Sequence, residues 1–401
     1  MEYKYLVMVT TNNNNKYYEM IPSGDSFTVK YGRIGASAQV RTYPAGQFNS
    51  KYNEKIRKGY VDQTELRKDL VKVETKEQKE KYLPIEEKST RELIKFLQEV
   101  ARQKIAENYT VSSESVTQAM VDEAQMVLNR IANESDKDNF NKELLNLFNI
   151  LPRKMYDVNA FLAKSGDKEE FSKIYIREQD LLNVMRGQVV QHIVDEQIDD
   201  NVEQPQQTIL EALNLEIEPI SATDEKIILK ELGDIKSKFY MAWKVRNKAT
   251  NQAFENHLKS SIHKNTKLLW HGSRNENWMS IISNGLILNP NAVITGKMFG
   301  YGCYYGLQAR KSFNYTSYHN SYWAHGNSDR AFMGLYAVHY GNPYIVADFN
   351  SKYYDFNYDK LRNEGNYDCL HADSRKGMLR NDEIIVYRED QSDIRYLVEL
   401  R

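Results

Sequence analysis

The hydrophobic period of this chain changes twice, and each change demands a different kind of structure. Tyr5, Val7 and Val9 alternate, as do residues 17–21 and 27–31, with turn signals at 12–15 and at Ser23-Gly24-Asp25. A period of two is a strand with one buried face, so the start of the chain reads as a small antiparallel sheet. Phe48, Tyr52, Ile56 and Tyr60 then fall four apart in a basic stretch, the spacing of one helix face. From Leu93 onward the period is helical. Leu93, Leu97 and Val100 share a face, and so do Val116, Met120, Ala124, Leu128 and Ile131. Leu144, Leu147 and Phe148 lead to Pro152, which stops a helix, and Asp167 stands ahead of a fourth carrying Phe171, Ile174, Leu181 and Met185. After about Ile209 strand-like runs return at 268–270, 335–338 and 384–387.

A chain of 401 residues with two such switches is expected to be multidomain α+β. The expected divisions are a small antiparallel sheet plus helix over 1–82, an all-α helical bundle over 85–206 and a mixed β-sheet domain over 207–401. The charged linker 76–81, ended by Pro84, and the acidic stretch 195–207, with Pro205, mark the boundaries. Charge follows the same divisions: roughly +4 over 1–75, roughly −11 over 85–220 and roughly +5 over 221–401, hidden in a net charge of −1. Basic ends suit a nucleic acid at one end and an anionic small molecule at the other. No run approaches about eighteen apolar residues, which argues against a membrane span. The apolar run 6–9 has no cleavage site after it, so the reading places the protein inside a cell. Two cysteines, Cys303 and Cys369, form neither a disulfide framework nor a zinc-finger pattern, and no metal is expected.

Two phosphate-binding signals fail. Residues 300–306 approach a dinucleotide fingerprint, but the sixth position is Tyr305 and no strand-turn-helix unit is expected around it; Gly296-Lys297 lacks the Walker spacing. What remains are short motifs at strand ends. His271-Gly272-Ser273 follows an apolar strand, where the histidine reads as a donor to a sugar hydroxyl or as a turn residue. Gly272 lets a flat ligand reach the backbone. Tyr304 and Tyr315 lie eleven apart, three turns if that segment is helical, so their rings either sandwich a planar ligand or pack in the core. Ser312 is a candidate donor to the same ligand. Glu383 opens the strand 384–387 and can hold substrate hydroxyls and support a cationic sugar carbon. Glu399 is the rival carboxylate, set aside because an edge or outer-face role fits the middle of its strand better.

In order, residues 268–274, Gly285-Leu286, 295–305, 311–315 and 381–387 resemble the poly(ADP-ribose) polymerase branch of the ADP-ribosyltransferases, with the diphtheria-toxin-like catalytic fold. The resemblance implies a catalytic triad of His271, Tyr304 and Glu383, a nicotinamide clamp on Gly272 and Ser312, stacking on Tyr315, and adenosine-side contacts from Ser273 and Asn277. A basic residue usual shortly after Gly285-Leu286 is Ile287 here. The start of the chain resembles the WGR domain, with Tyr31-Gly32-Arg33 in place of Trp-Gly-Arg; Tyr31 would stack on a base or sugar and Arg33 would reach phosphate. The acidic middle is similar in position to the family's helical regulatory domain. The implied function is transfer of ADP-ribose from NAD to protein acceptors, the chain itself included, and to growing polymer, with release of nicotinamide and stimulation by DNA or RNA. NAD is the substrate and no metal is needed. A mono-ADP-ribosyltransferase and a silent scaffold are the alternatives. The compartment would be cytoplasmic in a prokaryote and nuclear in a eukaryote.

Overall fold

A computed structural model describes residues 1–65, 82–109, 116–196, 206–288, 298–377, 379 and 381–401, with the backbone alone for 192–196. The linker 76–81, most of the boundary 195–207, and Thr295, Gly296 and Lys297 of the motif lie outside the described residues. The chain divides into two compact units, residues 1–79 with 102–192, and residues 80–101 with 193–401.

In the first unit, β1 (Lys4–Thr10), β2 (Asn14–Ser23), β3 (Ser26–Arg33), β4 (Gln39–Pro44) and β5 (Val61–Asp62) form a sheet in the order β4-β3-β2-β1-β5. Helix α1 (Phe48–Arg57) sets Phe48 into the cluster of Leu6, Tyr18, Met20, Phe27 and Val29. Tyr60 falls beyond α1, because Gly59 at φ 88° ends the helix in the left-handed conformation. Strand β4 was not expected: its side chains are almost all exposed, so no apolar alternation betrays it.

Four helices follow: α2 (Lys88–Asn108), α3 (Gln118–Ala132), α4 (Lys137–Ile150) and α5 (Lys168–Glu196). Thr117 and Asp136 cap α3 and α4 through their side-chain oxygens. Phe140 of α4 stacks on Phe171 of α5 at 4.0 Å. Arg153, buried after Pro152, ion-pairs with the buried Glu178 and donates to the Asn108 carbonyl. The turn between β1 and β2 is more than a turn. Asn15 donates to the Arg153 carbonyl at 3.1 Å, Asn149 Oδ1 accepts from Val9 N at 3.0 Å, and Asn13 Oδ1 accepts from Val158 N at 3.1 Å.

The second unit opens with α6 (Ile209–Ala212) and is built on one mixed sheet. Its strands are β6 (Leu215–Pro219), β7 (Phe239–Asn247), β8 (Thr266–Gly272), β9 (Cys303–Gly306), β10 (Ala331–His339), β11 (Pro343–Val346), β12 (Cys369–Ala372), β13 (Glu383–Val386) and β14 (Ser392–Leu400). They lie in the order β11-β12-β13-β9-β8-β10-β14-β7-β6, with only β11 and β12 pairing parallel. Short helices α7 (Ala222–Leu232), α8 (Lys248–Ser260), α9 (Trp278–Asn284), α10 (Ala309–Phe313) and α11 (Tyr358–Glu364) connect them. Ile228 and Leu232 of α7 pack with Trp270, Met333, Leu335 and Val398. The first half of α2 belongs to this unit: Trp243 Nε1 donates to Ser89 Oγ at 3.3 Å, and Phe96 lies 5.8 Å from Phe332. Among the described residues no helix is long and apolar enough to cross a membrane.

Three expectations need correction here. Tyr304 is on strand β9 and Tyr315 lies just past α10, so no helix carries both. Strand β9 followed by α10 is a strand-turn-helix unit after all, but Gly300 and Gly302 precede the strand and Gly306 ends it, so none opens the helix. Glu399 is not on an edge: β14 sits between β10 and β7, and the carboxylate is 1% exposed, paired with Arg330 at 2.8 Å and Arg401 at 2.7 Å.

Candidate active site

The site is assembled where β8, β9 and β13 lie side by side. Gly306 of β9 pairs with Trp270 of β8 and with Glu383 of β13, and Tyr304 pairs with Ile385. Register therefore brings His271, Tyr304 and Glu383 to neighbouring strands, although 112 residues separate the first from the last. The His271 ring stands edge-on to Trp278, Tyr305 and Tyr336 at 6.0 to 6.4 Å. Its Nδ1 lies 3.1 Å from the Tyr304 carbonyl. A carbonyl can only accept, so Nδ1 carries the hydrogen and donates it. The ring is also half-buried, not exposed.

Tyr304 spends its hydroxyl on the preceding loop, donating to Gly300 O at 2.9 Å and accepting from Phe299 N at 3.1 Å. Burial raises that hydroxyl's pKa well above the phenol value, so it stays protonated. What it offers a ligand is an oriented ring face. Gly300 permits this turn: at φ 75° it lies so close to Phe356 that a Cβ would strike the Phe356 backbone.

Helix α10 is held against β8 by the two residues expected to clamp an amide. Ser312 Oγ donates to Trp270 O at 2.8 Å, and a Cβ on Gly272 would fall on the Ser312 carbonyl. Gly272 is thus required first by protein packing. Tyr315 follows α10 and is 41% exposed. On the far side of the motif, Asn277 Nδ2 donates to Ser273 Oγ at 2.9 Å, while Asn277 Oδ1 is buried with no hydrogen-bond partner, an acceptor in want of a donor.

Sequence reasoning missed Lys311. Its ammonium contacts Glu383 Oε1, and both side chains are largely buried. Burial pushes the Lys311 ammonium down to about 7, an effect opposed by nearby Asp382 and by the Glu383 carboxylate it touches. A lysine on a short helix reads from sequence as a solvated residue; only its neighbour β13 makes it part of the site. The structure also brings together His371, Asp373 and Asp382, each offering one ligand atom within 4.8 Å of the others. Their carboxylates are already engaged, Asp373 by Arg375 at 3.0 Å and Asp382 by Ser374 N at 2.7 Å.

The two residues expected to meet nucleic acid are placed differently from each other. Tyr31 is half-buried, 5.8 Å from Tyr18, with the Arg41 guanidinium 5.9 Å from its ring. Lys55 lies over Tyr18 and Tyr60, and Lys51 over Tyr43, so bases and aromatic rings interleave on this side of the sheet. Arg33 instead turns its guanidinium to Asn13 and to the carbonyls of Met155, at 3.1 Å, and Tyr156, at 2.6 Å.

Residues 225–401 match the family model of the poly(ADP-ribose) polymerase catalytic domain, and residues 3–67 match that of the WGR domain. The chain is 31% identical over 177 residues to a putative poly [ADP-ribose] polymerase-like protein, 100L, of Invertebrate iridescent virus 6, covering 43% of this chain and 91% of that one. It is 33% identical over 195 residues to the uncharacterized protein 101L of the same virus, covering 48% of this chain and 79% of that one. Poly [ADP-ribose] polymerase 2 of Arabidopsis thaliana is 32% identical over 165 residues, which are 35% of this chain and 25% of the plant protein.

Proposed function

Since the chain belongs to the poly(ADP-ribose) polymerase family and is an NAD-dependent ADP-ribosyltransferase, we propose that it builds ADP-ribose chains on protein acceptors, itself included, under stimulation by nucleic acid bound at residues 1–82. The observation that carries this reading is the Glu383 carboxylate, held by Lys311 at the junction of β9 and β13 beside His271 and Tyr304.

The pocket binds the nicotinamide end of NAD against Tyr304 and Tyr315, with Gly272 and Ser312 beside it. His271 positions a ribose hydroxyl through its ring. Glu383 then acts twice: it holds the second ribose hydroxyl and supports positive charge growing on the anomeric carbon, and it orients or deprotonates the incoming acceptor hydroxyl. Nicotinamide leaves as a neutral molecule. The triad and the flanking contacts Ser273 and Asn277 are assigned on this reading.

Residues 85–206 would restrain turnover and residues 207–401 carry it, with Tyr31 and the lysines around it as the nucleic-acid contact. Arg33 would relay binding through its carbonyl partners at 155–156 instead of gripping phosphate. Incubation with labelled NAD, with and without nicked DNA, resolved on a denaturing gel, tests the whole reading. A DNA-dependent ladder is expected. A single shifted band would make the enzyme a mono-ADP-ribosyltransferase, a ladder indifferent to DNA would remove the switch, and no label would make the chain a silent scaffold.

A further inference from the structure

The loop between α10 and β10 displays aromatic side chains that neither the fold nor the chemistry above requires. Tyr322 is 62% exposed and Trp323 58% exposed, next to Tyr315 at 41%. The Trp323 ring lies nearly parallel to Tyr315, 21° between planes with centroids 6.4 Å apart, and Tyr322 braces it edge-on at 4.6 Å. Exposing a tryptophan and two tyrosines in one patch sacrifices the burial that usually justifies such side chains.

The loop beneath them is wired to hold that exposure. Trp323 N and Ala324 N both donate to Asn314 O, at 3.0 and 3.1 Å. Ser321, itself buried, donates to Thr316 O at 2.8 Å and accepts from Gly326 N at 2.8 Å. His325 adopts φ 49°, and Gly326 sits so tightly against Ser317 and Tyr318 that a Cβ would strike their backbone. A turn that costs left-handed backbone and buries its polar groups in a closed network is pre-organised, and what it presents is the indole.

The loop also packs on the stretch that carries Ser273 and Asn277. Asn275 N donates to Ser317 Oγ at 2.9 Å and Asn275 Nδ2 to Arg330 O at 2.8 Å, while Arg274 reaches the Ala324 carbonyl. Trp323 is therefore carried on a loop hydrogen-bonded to the stretch 273–277. A flat, exposed indole on a loop tied to that stretch suits a planar ring that stacks.

We propose that Trp323, held parallel to Tyr315, is the stacking platform for the adenine ring of an ADP-ribosyl unit. The inference rests on the chain's use of NAD, not on chain growth. Two sources carry that ring, the NAD donor and the ADP-ribose terminus of an acceptor.

Trp323 supplies its own probe. The chain has four tryptophans, and Trp243, Trp270 and Trp278 are all buried. Titration of the full chain with ADP-ribose should quench the exposed indole and shield it from acrylamide. Trp323→Ala should abolish that quenching and weaken ADP-ribose by about 5- to 100-fold, the range of a lost base–aromatic stack, with Trp323→Phe in between. A benzamide-type ligand should bind all three proteins equally, which reports that the variants are folded. Raised KM for NAD with normal ladders at saturating NAD would identify the donor adenine; unchanged KM with shortened products would identify the acceptor. Equal ADP-ribose affinity in Trp323→Ala and the parent overturns the proposal, and so does quenching by a short single-stranded oligonucleotide but not by ADP-ribose. Absence of ladders in the parent protein would count against polymer synthesis while leaving the binding titration intact.

Discussion

At the scale of single residues, two carboxylates that look alike in sequence have different surroundings. Glu383 faces the site beside Lys311, while Glu399 is locked between Arg330 and Arg401. Glu383→Gln keeps the shape and removes charge and proton acceptance, so transfer should fall by about 100-fold or more while calorimetry finds benzamide-type ligands bound as before. Glu399→Gln should instead lower thermal stability, by about 1–3 kcal/mol for a buried charge partner removed, with turnover per folded molecule kept. An inactive but stable Glu399→Gln protein would exchange the two assignments. Lys311 gives the site a pH response. Below about 7 its ammonium holds the Glu383 carboxylate, and as pH rises the ammonium loses its proton and releases that oxygen for substrate. Rate should therefore climb from about pH 6 to about pH 8.5, and Lys311→Met should flatten the climb; superimposable profiles would end the argument. The linkage to stability has the same sign. The folded value lies below the ordinary 10.5, so the unfolded chain holds more proton between the two values and this group's contribution to stability improves with pH across that window.

At the scale of elements, close backbone approach decides what the motifs can be. Gly272 is where β8 touches α10, and Gly272→Ala would drive its methyl into the Ser312 carbonyl. The strand or the helix must shift, carrying Ser312 and Tyr315 with it. A loss of about 2 kcal/mol or more in stability is expected, with weaker benzamide binding in the same titration; a variant as stable as its parent and binding normally would show that the approach is softer than it looks. The β1–β2 turn is a second junction. Arg33 closes it with four hydrogen bonds, two to Asn13 and one each to Met155 and Tyr156. Arg33→Ala should leave affinity for nicked DNA within about threefold by fluorescence anisotropy yet blunt stimulation, because what it breaks lies away from the phosphates. Loss of affinity with stimulation restored at higher DNA would return Arg33 to the phosphate contact.

At the scale of the whole molecule, the first half of α2 belongs with the large sheet although it precedes that sheet by more than a hundred residues. A chain beginning at Gln207 would lose Ser89 from Trp243 and Phe96 from Phe332, uncovering rings that are buried in the full chain. Such a shortened chain should melt below the 401-residue chain in calorimetry. If the helices restrain turnover, it should also consume NAD without nucleic acid faster, per folded molecule, than the full chain does. A slower rate in folded, monodisperse protein would remove the restraint.

The sequence by itself determined the multidomain α+β architecture, because hydrophobic period is set residue by residue and survives without knowledge of neighbours. The candidate triad His271, Tyr304 and Glu383 was nameable from sequence through the resemblance of its short motifs to a known family, which depends on local order and spacing and not on neighbours in space. Tertiary structure decided the rest. Lys311, Glu399 and Arg33 have ordinary local surroundings, and their roles come from partners 72, 69 and 122 residues away. The Tyr304 and Tyr315 rings are related by a strand and a short helix, which no single period could express. Strand β4 carries no apolar alternation, so its place in the sheet rests on backbone pairing with β3. Burial, register and charge pairing depend on which strands become neighbours, and that choice is made by the packed core, not by any one segment.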